Sequence, residues 1–158
     1  MSRLIIALAS AGYAGFFPWV PGTLGTLVGV LIYFLFSFLS PSIYLLATGA
    51  FFFLACWAAG KAEEILGKRD SPKIVIDEVT GYLIAMTWLP VSPACLASGF
   101  LFFRVLDIIK PPPSGWVHAK MTGGMAVVLD DAVAGVYTNL LLRLILVYFP
   151  DFVLFGSD

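Results

Sequence analysis

Apolar residues along this 158-residue chain come in long blocks separated by short breaks. Five blocks stand out: Leu24–Leu39, Ile43–Ala59, Ile74–Leu89, Ala94–Ile109 and Met125–Phe149. Each approaches or reaches the roughly 17–25 apolar residues with which an α-helix crosses the hydrocarbon core of a bilayer. Ser40-Pro41, Pro90, Pro93 and Pro150 fall between or just after the blocks. Proline lacks an N–H and clashes with the preceding helical turn, so these positions read as helix punctuation. A further apolar stretch, residues 4–17, is too short to span comfortably and is placed at the interface or as a re-entrant segment. The pattern predicts an all-α fold. It is a polytopic helical membrane protein with about five membrane helices and a short N-terminal interfacial or re-entrant helix, in a single domain over residues 1–158.

Composition strengthens this reading. The chain is 60% hydrophobic and 12% charged, against about 45–50% and about 25% in a soluble domain. A net charge of −1 argues against a polyanionic partner, so no nucleic acid is expected. Cys56 and Cys95 lie in apolar runs and read as small buried hydrophobes without a disulfide. Arg3 followed by an apolar stretch and the small residues Ala9-Ser10-Ala11 loosely resembles a signal peptide. Phe16, Phe17 and Trp19 continue the apolar character, so no cleavage is expected.

Charge orients the chain. Lys61, Lys68, Arg69 and Lys73 share one connection and Lys110 and Lys120 another, whereas residues 40–42 and 90–93 carry no charge. Basic loops stay cytoplasmic, which puts residues 60–73 and 110–122 inside and residues 40–42, 90–93 and the C-terminus outside. Residues 18–26, 60–78, 104–110 and 123–131 then meet at the cytoplasmic face, and every unusual polar group lies in one of them.

Five carboxylates are expected there, Asp77, Glu78, Asp107, Asp130 and Asp131, against two cations, Arg104 and Lys110. So many acids repel one another unless they are protonated or a cation intervenes. A hard divalent ion such as Mg²⁺, held by carboxylates and a substrate phosphate, resolves the conflict. Arg104, Asp107 and Lys110 stand at i, i+3 and i+6, roughly one helix face. There they form either an ion-pair ladder or an anion site in which a guanidinium fork and an ammonium meet a phosphate. Pro21-Gly22-Thr23-Leu24-Gly25-Thr26 reads as a proline turn with an N-cap, or as a helix start that offers Thr23 and free N–H groups to an anion. Gly123-Gly124 is a similar case before the last block. Asp70, with Ser71 and Pro72, reads as a cap for the third span, and Glu63 and Glu64 as surface charges. Ile74–Gly81 and Val127–Gly135 echo each other: three aliphatics, an acidic pair, then residues leading to glycine. The two helices are expected to pack with their acidic pairs facing.

Several chemistries are excluded. His118 is the sole histidine, which rules out a two-histidine metal motif and a paired-histidine phosphoryl intermediate. No Cys-x₅-Arg, Asp-x-Asp or Gly-x₄-Gly-Lys-[Ser/Thr] occurs.

Taken in order, Pro21–Thr26, Ile76-Asp77-Glu78 with Gly81, Phe103–Asp107 with Lys110-Pro111, and Gly123-Gly124-Met125 with Asp130-Asp131 and Gly135 resemble the phosphatidylglycerophosphatase A family over roughly residues 12–145. The resemblance implies a helical, Mg²⁺-dependent enzyme of the bacterial inner membrane that converts phosphatidylglycerophosphate to phosphatidylglycerol. It implies Asp77, Glu78, Asp107 and Asp131 as catalytic residues. These four, with Asp130 and Asp70, would serve the metal. Arg104 and Lys110, with Thr23, Gly123 and Gly124, would serve the substrate. The chain departs from the family at Thr122, where many members carry His or Lys, leaving Lys120 or His118 as substitutes. The other functional classes are a divalent-cation channel or transporter that uses the acidic pairs as ligands, and a non-catalytic membrane subunit.

Overall fold

The computed structural model describes residues 2–113 and 121–154, and regular structure among them is helical throughout. The helices are α1 (Ser2–Ala9), α2 (Pro21–Phe36), α3 (Pro41–Leu66), α4 (Ile76–Ala85), α5 (Pro93–Ile109) and α6 (Gly124–Tyr148), with 3₁₀ turns at Ala14–Phe16 and Pro150–Leu154. Pro21, Pro41 and Pro93 each open a helix. At the first helical position the missing N–H costs nothing and the fixed φ is already helical. Helix α3 continues seven residues past Ala59, because Lys61, Glu63 and Glu64 extend it, and stops at Gly67 in the left-handed conformation.

The expected five membrane helices are not confirmed. Among the described residues two helices, α3 and α6, are long and apolar enough to cross a membrane by length and composition. Helix α2 has 16 residues and α5 has 17, at the lower limit. The block 74–89 yields only the 10-residue α4, which at about 1.5 Å per residue reaches half-way through a hydrocarbon core. Helix α1 has 8 residues and is shorter still, as expected of the N-terminal segment.

A helix that ends inside an apolar body must have its last carbonyls satisfied by side chains. Helix α4 meets this condition with donors from three neighbours. Tyr44 Oη donates to Leu83 O (2.6 Å), and Asn139 Nδ2 donates to Ala85 O (2.8 Å) and Thr87 O (2.9 Å). Arg143 Nη2 donates to Thr87 O (3.0 Å), and Tyr33 Oη reaches Leu89 O (3.3 Å) in the following loop. Asn139 Oδ1 in turn accepts from Arg143 Nε (2.7 Å), which orients both side chains.

Helix α4 sits at the centre, packed against α2, α3, α5 and α6. Its closest approach is to α6, where Gly81 and Gly135 bring two backbones together. A β-carbon on Gly135 would overlap Gly81 O, and one on Gly81 would lie 2.8 Å from Asp131 O. Helices α3 and α6 touch in the same way, since a β-carbon on Gly124 would overlap Cys56 O and Gly60 N. Small residues permit such contacts between helices, and Ala55, Ala58, Ala59 and Ala62 extend the buried face of α3. Tyr33, Tyr82 and Phe103 pack edge to face, with ring centroids 6.2 and 6.4 Å apart.

Apolar side chains cover much of the outside as well as filling the core, while several polar ones are buried. Thr26, Asp77, Thr80, Asp130, Asp131 and Thr138 are buried, whereas Leu31, Phe38, Leu46, Phe53, Ile108 and Val147 are exposed. The starts of α2, α4 and α6 share one end of the bundle with the finishes of α3 and α5, since Gly22 lies against Arg104 and Gly60 against Gly124.

Candidate active site

That shared end holds the acidic residues. The segment before α4 is anchored by the Val75 N–H, which donates to Ala9 O (2.9 Å), and by Gly15, which leaves no room for a side chain against Lys73 O. Asp77 and Glu78 therefore enter in the first turn of α4, where the helix dipole favours negative charge. Residue Val75 precedes α4 without a side-chain cap, so Asp70 does not cap this helix. Asp70 instead adopts a left-handed backbone (φ 46°), and its N–H donates to Glu63 Oε1 (2.7 Å). The Gly81–Gly135 contact sets the register that carries Asp131 across to Asp77 and Glu78. The two echoed segments therefore do face each other.

Three carboxylates converge. Asp77, Glu78 and Asp131 each present an oxygen within 4.8 Å of the others. Asp107 adjoins Asp131, and its Oδ2 accepts from Arg104 Nη1 (2.7 Å), which also lies 3.8 Å from Glu78 Oε1. The start of α2 closes this side. A β-carbon on Gly22 would overlap Glu78 Oε1 and stand 2.9 Å from Arg104 Nη2. Thr23 follows in the same first turn, while Thr26 Oγ1 is spent on Gly22 O (2.9 Å).

Asp130 takes a different direction. Its Oδ2 accepts from Lys110 Nζ on the residue that ends α5. Burial pulls the Lys110 ammonium down, but the hydrogen bond from Asp130 and the charges of Asp130, Asp131 and Asp70 together hold its pKa above the ordinary lysine value. Lys110 is itself left-handed (φ 51°) and its N–H donates to Leu106 O (2.9 Å). Gly123 is also at positive φ (80°), and Gly124 is committed to contact with α3. His118 and Lys120 lie outside the described residues. Arg69 Nη2 donates to Met121 O (2.7 Å), tying the approach to α6 to the connection after α3.

The donor set fits a hard cation. Among the described residues, Asp77 Oδ1, Glu78 Oε2, Asp130 Oδ1 and Asp131 Oδ2 are buried without a hydrogen-bond partner. An orphaned buried polar atom costs about 1–3 kcal/mol, more when charged. Three of the four belong to the convergent carboxylates, and oxygen is the ligand that Mg²⁺ and Ca²⁺ take.

Sequence reasoning singled out these acids and cations. It did not see Asn139 and Arg143, whose work is done on the far end of α4. The signal was present as two polar residues four apart inside an apolar block.

Comparison with known proteins identifies the family. The phosphatidylglycerophosphatase A family model matches residues 7–146. A phosphatidylglycerophosphatase A of Escherichia coli K12 is 34% identical over 131 residues, covering 82% of this chain and 76% of the relative. One of Haemophilus influenzae is 33% identical over 135 residues, covering 84% and 83%. A Bacteroides thetaiotaomicron protein named "Putative phosphatidylinositol-3-phosphatase" is 34% identical over 149 residues, covering 89% and 92%. No solved structure matches. With the family pattern covering nearly the whole chain and its acidic motifs meeting at one end of the bundle, the chain belongs to the phosphatidylglycerophosphatase A family.

Proposed function

We propose that the chain is a Mg²⁺-dependent lipid phosphatase that hydrolyses the terminal phosphomonoester of phosphatidylglycerophosphate to phosphatidylglycerol and phosphate. The observation that carries this is the meeting of three carboxylates, with unpartnered buried oxygens, and the Arg104 guanidinium at the start of α2. The substrate follows from the names of the relatives in Escherichia coli and Haemophilus influenzae.

Asp77, Glu78 and Asp131 would hold the metal, with Asp107 beside them. Bound there, Mg²⁺ supplies charge neutralisation for the phosphoryl oxygens and lowers the pKa of a coordinated water. Arg104 is held by Asp107 through Nη1 while Nη2 lies beside Gly22, so its remaining N–H groups would meet the phosphate near the start of α2. The first N–H groups of α2, at Gly22 and Thr23, point the positive end of a helix at the same place. One of the acids takes the proton from the attacking water.

The outward apolar surface supports placement in a bilayer, with the site at the headgroup level of the cytoplasmic leaflet and α1 at the interface. Basic residues in the connections beside the site favour that side, and the bacterial relatives favour the inner membrane. A cation-conducting role is less consistent with the site, because Arg104 and Lys110 are paired to the very acids that would line a path.

The decisive experiment is phosphate release from phosphatidylglycerophosphate in mixed micelles by purified protein, with Mg²⁺ and with EDTA. We expect release that requires Mg²⁺ and falls about a hundredfold or more in Asp131→Asn. Release that is unchanged in EDTA removes the metal from the proposal, and no release by folded protein removes the substrate. Phosphatidylinositol 3-phosphate belongs in the same assay, because the Bacteroides relative carries that name.

A further inference from the structure

We infer that the adjacent aspartates have separate tasks: Asp131 belongs to the cation-binding group, whereas Asp130 is a positioning residue that aims Lys110 at the substrate phosphate. The inference rests on the phosphatase reading for the identity of the anion that Lys110 meets.

Consecutive residues on an α-helix project about 100° apart, so Asp130 and Asp131 cannot serve the same neighbour equally. Asp131 turns to α4 and joins Asp77 and Glu78. Asp130 turns to the end of α5 and takes the Lys110 ammonium. The carboxylate is 3% exposed and the lysine side chain 42%, so the ammonium sits at the mouth while its counter-charge is fixed in the body. Four features hold the lysine in that place. Its own left-handed backbone, a conformation costly for a side-chain-bearing residue, swings it out of the helix line. Its N–H is bound to Leu106 O (2.9 Å). Pro111 follows directly. Two residues on, Tyr137 Oη donates to Pro112 O (2.6 Å) and pins the same stretch to α6 one more time.

An ammonium bound to a carboxylate on one side keeps donors for an anion on the other. Asp130 retains one buried oxygen without a partner among the described residues. The carboxylate draws the ammonium inward through Oδ2, and a phosphate would draw it outward, so the pair is suited to take up and release an anion rather than to lock shut.

The test combines metal binding with kinetics. Mn²⁺ binding is followed by electron paramagnetic resonance in wild type, Asp130→Asn and Asp131→Asn. Asp130→Asn is expected to keep wild-type Mn²⁺ affinity within about twofold, while Asp131→Asn loses about tenfold or more. In the phosphatase assay, Asp130→Asn and Lys110→Met each raise KM about tenfold with kcat changed less than about threefold. The double variant Lys110→Met/Asp130→Asn shows a KM within about twofold of the worse single. It removes both charges together and is the variant to rely on if Lys110→Met, which strands a buried carboxylate, folds poorly.

Loss of Mn²⁺ affinity in Asp130→Asn equal to that in Asp131→Asn overturns the inference and makes Asp130 a ligand. KM effects that multiply in the double variant overturn it as well. Unchanged Mn²⁺ binding in Asp131→Asn sinks the metal reading, while the KM comparison still decides the role of Asp130. If wild type hydrolyses no lipid phosphate, titration with inorganic phosphate followed by ³¹P NMR takes its place. Binding weakened equally by the two single variants supports the pairing, and absence of binding to wild type overturns it.

Discussion

At the scale of single residues, the site is a problem of crowded negative charge solved in two ways. Arg104 neutralises Asp107 and Glu78 from within the chain, and in the proposed reading a bound cation would neutralise the remaining convergent oxygens. Replacing Arg104 by Lys keeps the charge but loses the fork, and kcat/KM is expected to fall at least about tenfold in the phosphate-release assay. Gly22→Ala places a methyl against Glu78 and Arg104. We expect it to lower activity more than it lowers the melting temperature, because the crowding is local to the site. Most of these residues were legible in the sequence: the acids stood out because charge inside an apolar block is expensive, and Arg104 and Asp107 because their spacing shares a face, whereas Lys110 lies past the end of α5 and leaves that face for Asp130. What was not legible is the direction of each side chain. Asp130 and Asp131 are chemically identical neighbours, and only the helices packed around them tell them apart.

At the scale of elements, the packing of α4 decides most of the architecture. Its N-terminal turn carries Asp77 and Glu78 and its C-terminal end is closed by Asn139, Arg143 and Tyr44. Asn139→Ala leaves Ala85 O without its side-chain donor, while Thr87 O keeps Arg143, a loss of about 1–3 kcal/mol for the orphaned carbonyl. The measurement is a lowered unfolding temperature in detergent, with KM of the remaining folded enzyme little changed. Gly135→Ala forces the α4 and α6 backbones apart and is expected to damage stability and activity together, since that contact also sets the register of Asp131. The helix starts at Pro21, Pro41 and Pro93 followed from local rules. The early end of α4 did not, because residues 84–89 read as a continuation and the groups that terminate the helix lie some fifty residues downstream on α6. Hydropathy measures how apolar a segment is, not whether its backbone has found partners elsewhere.

At the scale of the whole molecule, the parts of the site come from far apart in the chain: Gly22 near the beginning, Asp77 and Glu78 in the middle, Arg104 and Lys110 later, and Asp130 and Asp131 near the end. Withdrawal of the divalent ion is therefore expected to loosen the entire bundle, read as a lower unfolding temperature in EDTA than in Mg²⁺, because a ligand bound only by the folded state stabilises it by mass action. The order of these parts also bears on how the protein is made. Helix α4 leaves the ribosome with two acids and ten residues, and by itself it has no stable lodging in hydrocarbon. Its counter-charge arrives 26 residues later with Arg104, and its lid of side-chain donors later still with Asn139 and Arg143. In the bilayer placement proposed above, α4 would therefore depend on α5 and α6 for its place in the bundle.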